Sequence, residues 1–248
     1  MLKHDVESSP QSYARIGGAL YLGNIVLGVV GEVVRDRLIV SGDAAATAAN
    51  VTSMASLWRL GIASEFLALI CAIALATIYF VLLRPVSEEL NLFATFLRLV
   101  AIGVEAIVAM NLVQASFPLG NAASLEAFTA EQRDALTALA IKSHAYGFGL
   151  ALLLFGCCFL VHGYLIVRSG FLPRVLGLLI QVAGLCYLTN SFALFLAPAL
   201  ADRIFPGILL PAFVGEASLC IWLLVKGINV DNWRQANADM VRHRSAAR

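Results

Sequence analysis

The chain has 248 residues, of which 60% are hydrophobic and 13% charged, with a formal net charge of +1. A soluble domain carries about 25% charged residues, so much of this surface must be covered by lipid, and the near-zero balance offers no basic face to nucleic acid. The five cysteines, Cys71, Cys157, Cys158, Cys186 and Cys220, all fall inside apolar stretches. A disulfide framework is not expected there, and they read as buried free thiols.

Met1–Ser12 is polar and lacks the short apolar core and small-residue cleavage site of a signal peptide. The first apolar stretch is therefore expected to stay in the membrane. Six stretches are near or above the roughly 20 residues that a helix needs to cross: Ala14–Val34, Leu57–Leu83, Asn91–Ala115, His144–Val167, Leu172–Ala197 and Pro206–Val225. No ten-residue alternation of a barrel strand is present, and backbone groups in lipid must pair within their own segment. The expected fold is an all-α integral membrane bundle of six transmembrane helices.

Six spans put both tails on one side. Eleven of the 17 Lys and Arg fall on that side, Arg98 counted among them, and six on the other. This bias predicts cytoplasmic tails in a bacterial inner membrane. The predicted organisation is a tail over 1–13, a six-span domain over 14–227 and a basic tail over 228–248. The inner turns at 84–90 and 168–171 are short and force antiparallel neighbours.

The two long outer loops are expected to hold short interfacial helices. Asp43 can cap Ala44–Ala55, and Thr129-Ala-Glu-Gln132 has the form of a capping box that opens a helix running into the fourth span. In the last tail, Trp233, Ala236, Met240 and Val241 share a helical face among Arg234, Arg242 and Arg244. That pattern predicts an amphipathic helix on anionic lipids of the inner leaflet.

Four segments carry a family resemblance: Ala14-Arg-Ile-Gly-Gly-Ala-Leu-Tyr-Leu22, Leu38-Ile-Val-Ser-Gly-Asp-Ala-Ala-Ala-Thr47, His144-Ala-Tyr-Gly147, and Pro211-Ala-Phe-Val-Gly-Glu-Ala-Ser-Leu-Cys-Ile-Trp-Leu-Leu-Val-Lys-Gly227. Together, over Ala14 to about Gly227, the chain is similar to the bacterial multi-pass membrane proteins grouped as domain-of-unknown-function family 4386. The resemblance implies an integral membrane protein and brings no catalytic residue with it.

Chemistry is concentrated in four carboxylates inside apolar stretches, Glu32, Glu65, Glu105 and Glu216. Charges there are expensive and mark function by default. Glu65 shares a helical stripe with Gly61, Ala68, Ala72 and Ala76, and Glu216 with Ala212, Cys220 and Gly227. Narrow stripes of this kind face a neighbouring helix. Glu65, Glu105 and Glu216 lie at similar depth, ~12 to 15 Å from the outer side, and are expected to meet around one cavity.

Arg59, His144, Tyr146 and Asn190 join them from the same half. Arg59, Arg98 or a polar neighbour would pair the carboxylates. Pro211 is expected to kink the last span beside Glu216. The candidate ligand set is thus Glu65, Glu105, Glu216, Glu32, Arg59, His144, Tyr146 and Asn190, serving a small molecule, a cation or a proton.

Two other readings stand beside this one. The glutamates are interhelical glue in a structural protein, or His144 with Glu32 or Glu65 holds a metal in a membrane-embedded enzyme. No His-Glu-x-x-His, Cys-x-x-Cys, P-loop or Gly-x-Ser-x-Gly motif is present, and nothing in the sequence names a cofactor.

Overall fold

The computed structural model describes residues 9–121 and 123–246, with the backbone alone at 124, 243, 244 and 246. Most of the predicted tail over 1–13, with Lys3 in it, lies outside the described residues, as do Arg248 and the side chain of Arg244. The helices are α1 (Pro10–Leu38), α2 (Ala44–Ser53), α3 (Ala55–Leu83), α4 (Glu88–Gln114), α5 (Ala130–Ser169), α6 (Arg174–Leu196), α7 (Pro198–Ile204), α8 (Leu210–Val225) and α9 (Val230–Ala246).

Six of these, α1, α3, α4, α5, α6 and α8, are long and apolar enough to cross a membrane. The protein is an all-α membrane bundle. Its outward faces carry bare apolar side chains, with Ile107 75% and Leu196 77% exposed, while Glu65, Arg98, His144, His162 and Asn190 are buried between helices. Apolar groups outside and polar groups inside is the arrangement that a lipid solvent imposes.

Each span packs against its neighbour in the chain, and α8 packs back against α1. The six helices therefore close into a ring in the order α1, α3, α4, α5, α6, α8. The most intimate seam joins antiparallel α5 and α6. A Cβ on Gly177 would lie 2.5 Å from the Gly163 carbonyl oxygen, and one on Gly184 would lie 2.7 Å from that of Gly156. One step of seven residues further on, the Ser191 hydroxyl donates to the Gly149 carbonyl at 2.8 Å. Small residues thus recur every seventh position on both helices and let the backbones touch.

Gly215 brings α8 against the Leu179 carbonyl of α6 in the same way, and Gly18 brings α1 against the backbone of Leu224.

A tryptophan pins each end. Trp58 Nε1 donates to the Leu112 carbonyl and to Ser116 Oγ at the end far from the tails. Trp233, 0% exposed, donates to the Leu82 carbonyl at the tail end. The last helix is present as expected, but it turns Trp233 into the bundle instead of into lipid. Gly227 at φ +70° makes the turn into it, and the Gln11 side chain clamps that turn, donating to Lys226 O and accepting from Ile228 N.

The far loops carry α2, capped by Asp43 Oδ1 accepting from Ala46 N, and α7. The capping box at Thr129 opens α5, which runs unbroken for 40 residues into the membrane. Pro211 does not kink its span. The helix begins at Leu210, so Pro211 sits in the first turn, where a missing N–H costs no helical bond. Arg98 is corrected too: it is 4% exposed, in the interior of the ring, and not a flanking cation.

Gly177→Ala should lower the melting temperature of the detergent-purified protein by the equivalent of about 1–3 kcal/mol, the usual cost of overpacking, since a backbone carbonyl cannot move aside. Gly103→Ala, where a Cβ meets nothing within 4 Å, should leave it unchanged.

Candidate functional site

The buried polar groups form two constellations. In the half far from the tails, Glu65 of α3 sits between two partners. Arg35 Nη1 of α1 donates to Glu65 Oε2 at 2.8 Å, and His144 Nε2 of α5 meets Glu65 Oε1 at 2.8 Å. The other Arg35 nitrogen, Nη2, reaches Glu32 Oε2 at 2.7 Å, one turn back on its own helix. Gly31 makes room for the guanidinium, its Cβ position lying 3.4 Å from Arg35 Nη1. The group ties three helices together, with both Glu65 oxygens taken.

Nearer the tails is a girdle. Tyr21 of α1 donates to Glu216 Oε2 of α8 at 2.8 Å, and Tyr187 of α6 donates to Glu216 Oε1. Tyr21 meets the Tyr79 ring of α3 edge-on at 6.3 Å. The Arg98 guanidinium of α4 lies over Tyr79 at 4.9 Å and over Phe159 of α5 at 6.0 Å. Phe159 in turn lies 5.5 Å from Tyr187.

Six side chains, one from each span, therefore make a closed circuit in the same order as the helices themselves. Tyr21, Arg98, Phe159 and Glu216 each lie nine to eleven residues from the tail end of their helix. That is ~15 Å, about half of a ~30 Å hydrocarbon core. Glu216 and Arg98 stand three places apart in a circuit of six, with aromatic walls between them. Arg98 acts electrostatically on Glu216, yet the two are not in ion-pair contact.

The expected set is dispersed. Glu65, Glu32 and His144 join one constellation and Glu216 anchors the other. Glu105 lies between the two, within electrostatic reach of Glu65 and Tyr187, and makes no hydrogen bond among the described residues. Glu65, Glu105 and Glu216 thus do not share one contact.

Arg59 is exposed and pairs with none of them. Tyr146 packs on Phe195 and under Lys142. Asn190 is buried one turn beyond Tyr187. Cavities of about 580 and 410 Å³ lie elsewhere, the first between Arg84, Glu89, Arg168 and Met240 at the tail end, the second against Leu185, Phe192 and Leu200.

Arg35, Tyr21, Tyr79 and Tyr187 are absent from the expected set. The first span was read as ending at Val34, which made Arg35 a loop cation, whereas α1 continues one turn to Leu38. The i,i+3 spacing of Glu32 and Arg35 was the available signal. A hydroxyl-bearing ring in the middle of an apolar span marked Tyr187, whereas Tyr79 lies only four residues from the end of α3. The metal alternative meets a physical obstacle. The group that joins Glu32 to Glu65 is a guanidinium, and it stands where a cation would have to stand. Among the described residues no three His, Cys, Asp or Glu side chains converge.

Removing the carboxylate in Glu65→Ala leaves buried His144 without its partner and Arg35 with Glu32 alone, and should cost about 1–3 kcal/mol, read as a fall in melting temperature. Arg59→Ala should not change it.

Comparison with known proteins adds a lineage. A protein of Archaeoglobus fulgidus that carries the name uncharacterized protein is 24% identical over 164 residues, 65% of this chain and 80% of the relative. No solved structure matches. The residues from Ile16 to Gly227, which hold both constellations, match the family described as domain of unknown function (DUF4386), and the chain belongs to that family.

Proposed function

We propose that the protein binds a small ligand or exchanges a proton at the mid-membrane girdle, with Glu216 as the exchanging group, and that it works in transport or sensing. One contrast carries this reading. Glu65 is held by a guanidinium and an imidazole, whereas Glu216 is held only by two neutral hydroxyls. A carboxylate locked to a cation stays ionised. One that receives only phenolic hydrogen bonds can take up or release a proton without breaking an ion pair. The tyrosines hold the carboxyl in place in either state, since a hydroxyl both donates and accepts.

The structural role belongs to the other constellation. Arg35, Glu65 and His144 bind α1, α3 and α5 together, and this supports the reading of those residues as interhelical glue. Of the predicted set, Glu32, Glu65 and His144 then serve the scaffold and Glu216 serves the exchange.

The balance of Lys and Arg supports placing the tails in the cytoplasm and the ring in the bacterial inner membrane. Moving buried Arg98 out of the count leaves ten cations against six. Arg234 and Arg242, exposed on α9, are the groups that would meet anionic headgroups there. On this reading 1–13 is a tail and 14–227 the working unit.

Infrared difference spectra between acid and alkaline buffer test the proposal. A carboxylic C=O band that titrates should be present in the native protein and in Glu65→Gln if that variant folds, and should disappear in Glu216→Gln. A titrating band that survives Glu216→Gln, or no titrating band at all, would sink it.

A further inference from the structure

We infer that Arg98 is the binding group for a small monoanion, such as a carboxylate, held inside the girdle. The inference shares its location with the reading above but stands on a different residue.

Arg35, half-buried near the far end of α1, and Arg98, buried inside the ring, are treated differently. Arg35 has its charge met by two carboxylates of the protein, at 2.7 and 2.8 Å. Arg98 is 4% exposed and has no ion-pair partner among the described residues. Its Nε–H is buried with no acceptor. The Cys158 thiol is hydrogen-bonded to it, and the rings of Tyr79, Phe155 and Phe159 lie 4.9 to 6.0 Å from its guanidinium carbon.

Aromatic faces stabilise a guanidinium through its flat side. They leave its in-plane N–H groups free to donate, the Cys158 thiol takes one of them, Nε–H has no acceptor, and that edge matches a planar carboxylate in geometry. An unpaired charge at mid-membrane is among the most expensive arrangements open to a protein.

The protein's own carboxylates do not fill the gap. Both oxygens of Glu216 are occupied by Tyr21 and Tyr187. Glu105 lies seven residues along α4, ~10 Å away on the same helix, and makes no contact with the guanidinium. A second orphan lies alongside: His162, stacked on the same Tyr79 ring at 5.1 Å, has its Nε2 buried without a partner. The unfilled position thus has a donor on Arg98 and a further polar nitrogen close to the same ring. Its walls are aromatic rings, and a single guanidinium edge matches a planar anion of a few heavy atoms.

Acetate and chloride titrated into the purified protein, with ionic strength held constant by sulfate, test the assignment through the melting temperature. Native protein should be stabilised saturably by acetate. Arg98→Lys, which keeps the charge and loses the fork, should need about tenfold more acetate, the loss of roughly one charge-assisted hydrogen bond. Arg98→Gln should lose the effect.

Stabilisation by chloride with none by acetate would assign the same group to a halide and overturn the carboxylate. Stabilisation by neither anion beyond sulfate would overturn the site, as would an acetate effect that both Arg98 variants retain. Where Arg98→Gln fails to fold, the lysine variant decides. The acetate effect is read on the Arg98 variants and the carboxylic band on Glu216→Gln, so a failure of the exchange reading leaves this result intact, and the converse holds.

Discussion

Hydrocarbon offers no hydrogen bonds, and everything polar in this protein is arranged around that fact. A backbone group or side chain left facing lipid has no water to fall back on. The six spans answer by closing on themselves, with α8 returned against α1. Closure gives the bundle an inside, and the inside is the only place where a glutamate, an arginine or a histidine can stand at mid-membrane depth. The glycines make closure possible. At the α5–α6 seam the backbones touch every two turns, and the ring is narrow enough for Glu65 and Tyr79 of α3 to reach His144 and His162 of α5 past the helix between them.

Within that interior, electrostatics divides the labour. A guanidinium between two carboxylates has low energy and little freedom; it is a rivet. A carboxyl group between two hydroxyls is held in position without being committed to one charge state. A guanidinium among aromatic rings is held by its faces, with one N–H of its edge still unmet. The three arrangements lie inside one ring and differ in what each leaves unsatisfied. That difference sets the three apart, and burial alone would not have drawn it.

Much of the architecture was legible because lipid simplifies the code. Helix number, approximate bounds, the Asp43 and Thr129 caps and the inward turn of Glu65 all follow from apolar length, capping chemistry and small-residue stripes. Pairings across helices were not legible. Periodicity says which face of a helix Glu216 occupies, but not that Tyr21, 195 residues earlier, will be opposite it. Ring closure between the first and last spans is a tertiary fact with no local signature. Arg35 was lost to a boundary one turn short, and Arg98 to an assumption that cations flank spans. The sevenfold recurrence of Gly149, Gly156 and Gly163 against Gly177, Gly184 and Ser191 was present in the sequence, and it marked the closest seam.

The clamp of Gln11 on the turn after α8 has a consequence for biogenesis. Spans leave the ribosome in order, and α1 enters the bilayer long before its partner exists. Until α8 is made, Tyr21 has no carboxylate, Gln11 has no turn to hold, and the flank of α1 around Gly18 has only lipid against it. The pairs α3–α4 and α5–α6 can assemble as they emerge, but the circuit of side chains can be completed only by the last span. Insertion and maturation are therefore separate events in this protein. The girdle itself is complete only once the sixth helix arrives and the tail helix seats Trp233 beneath it.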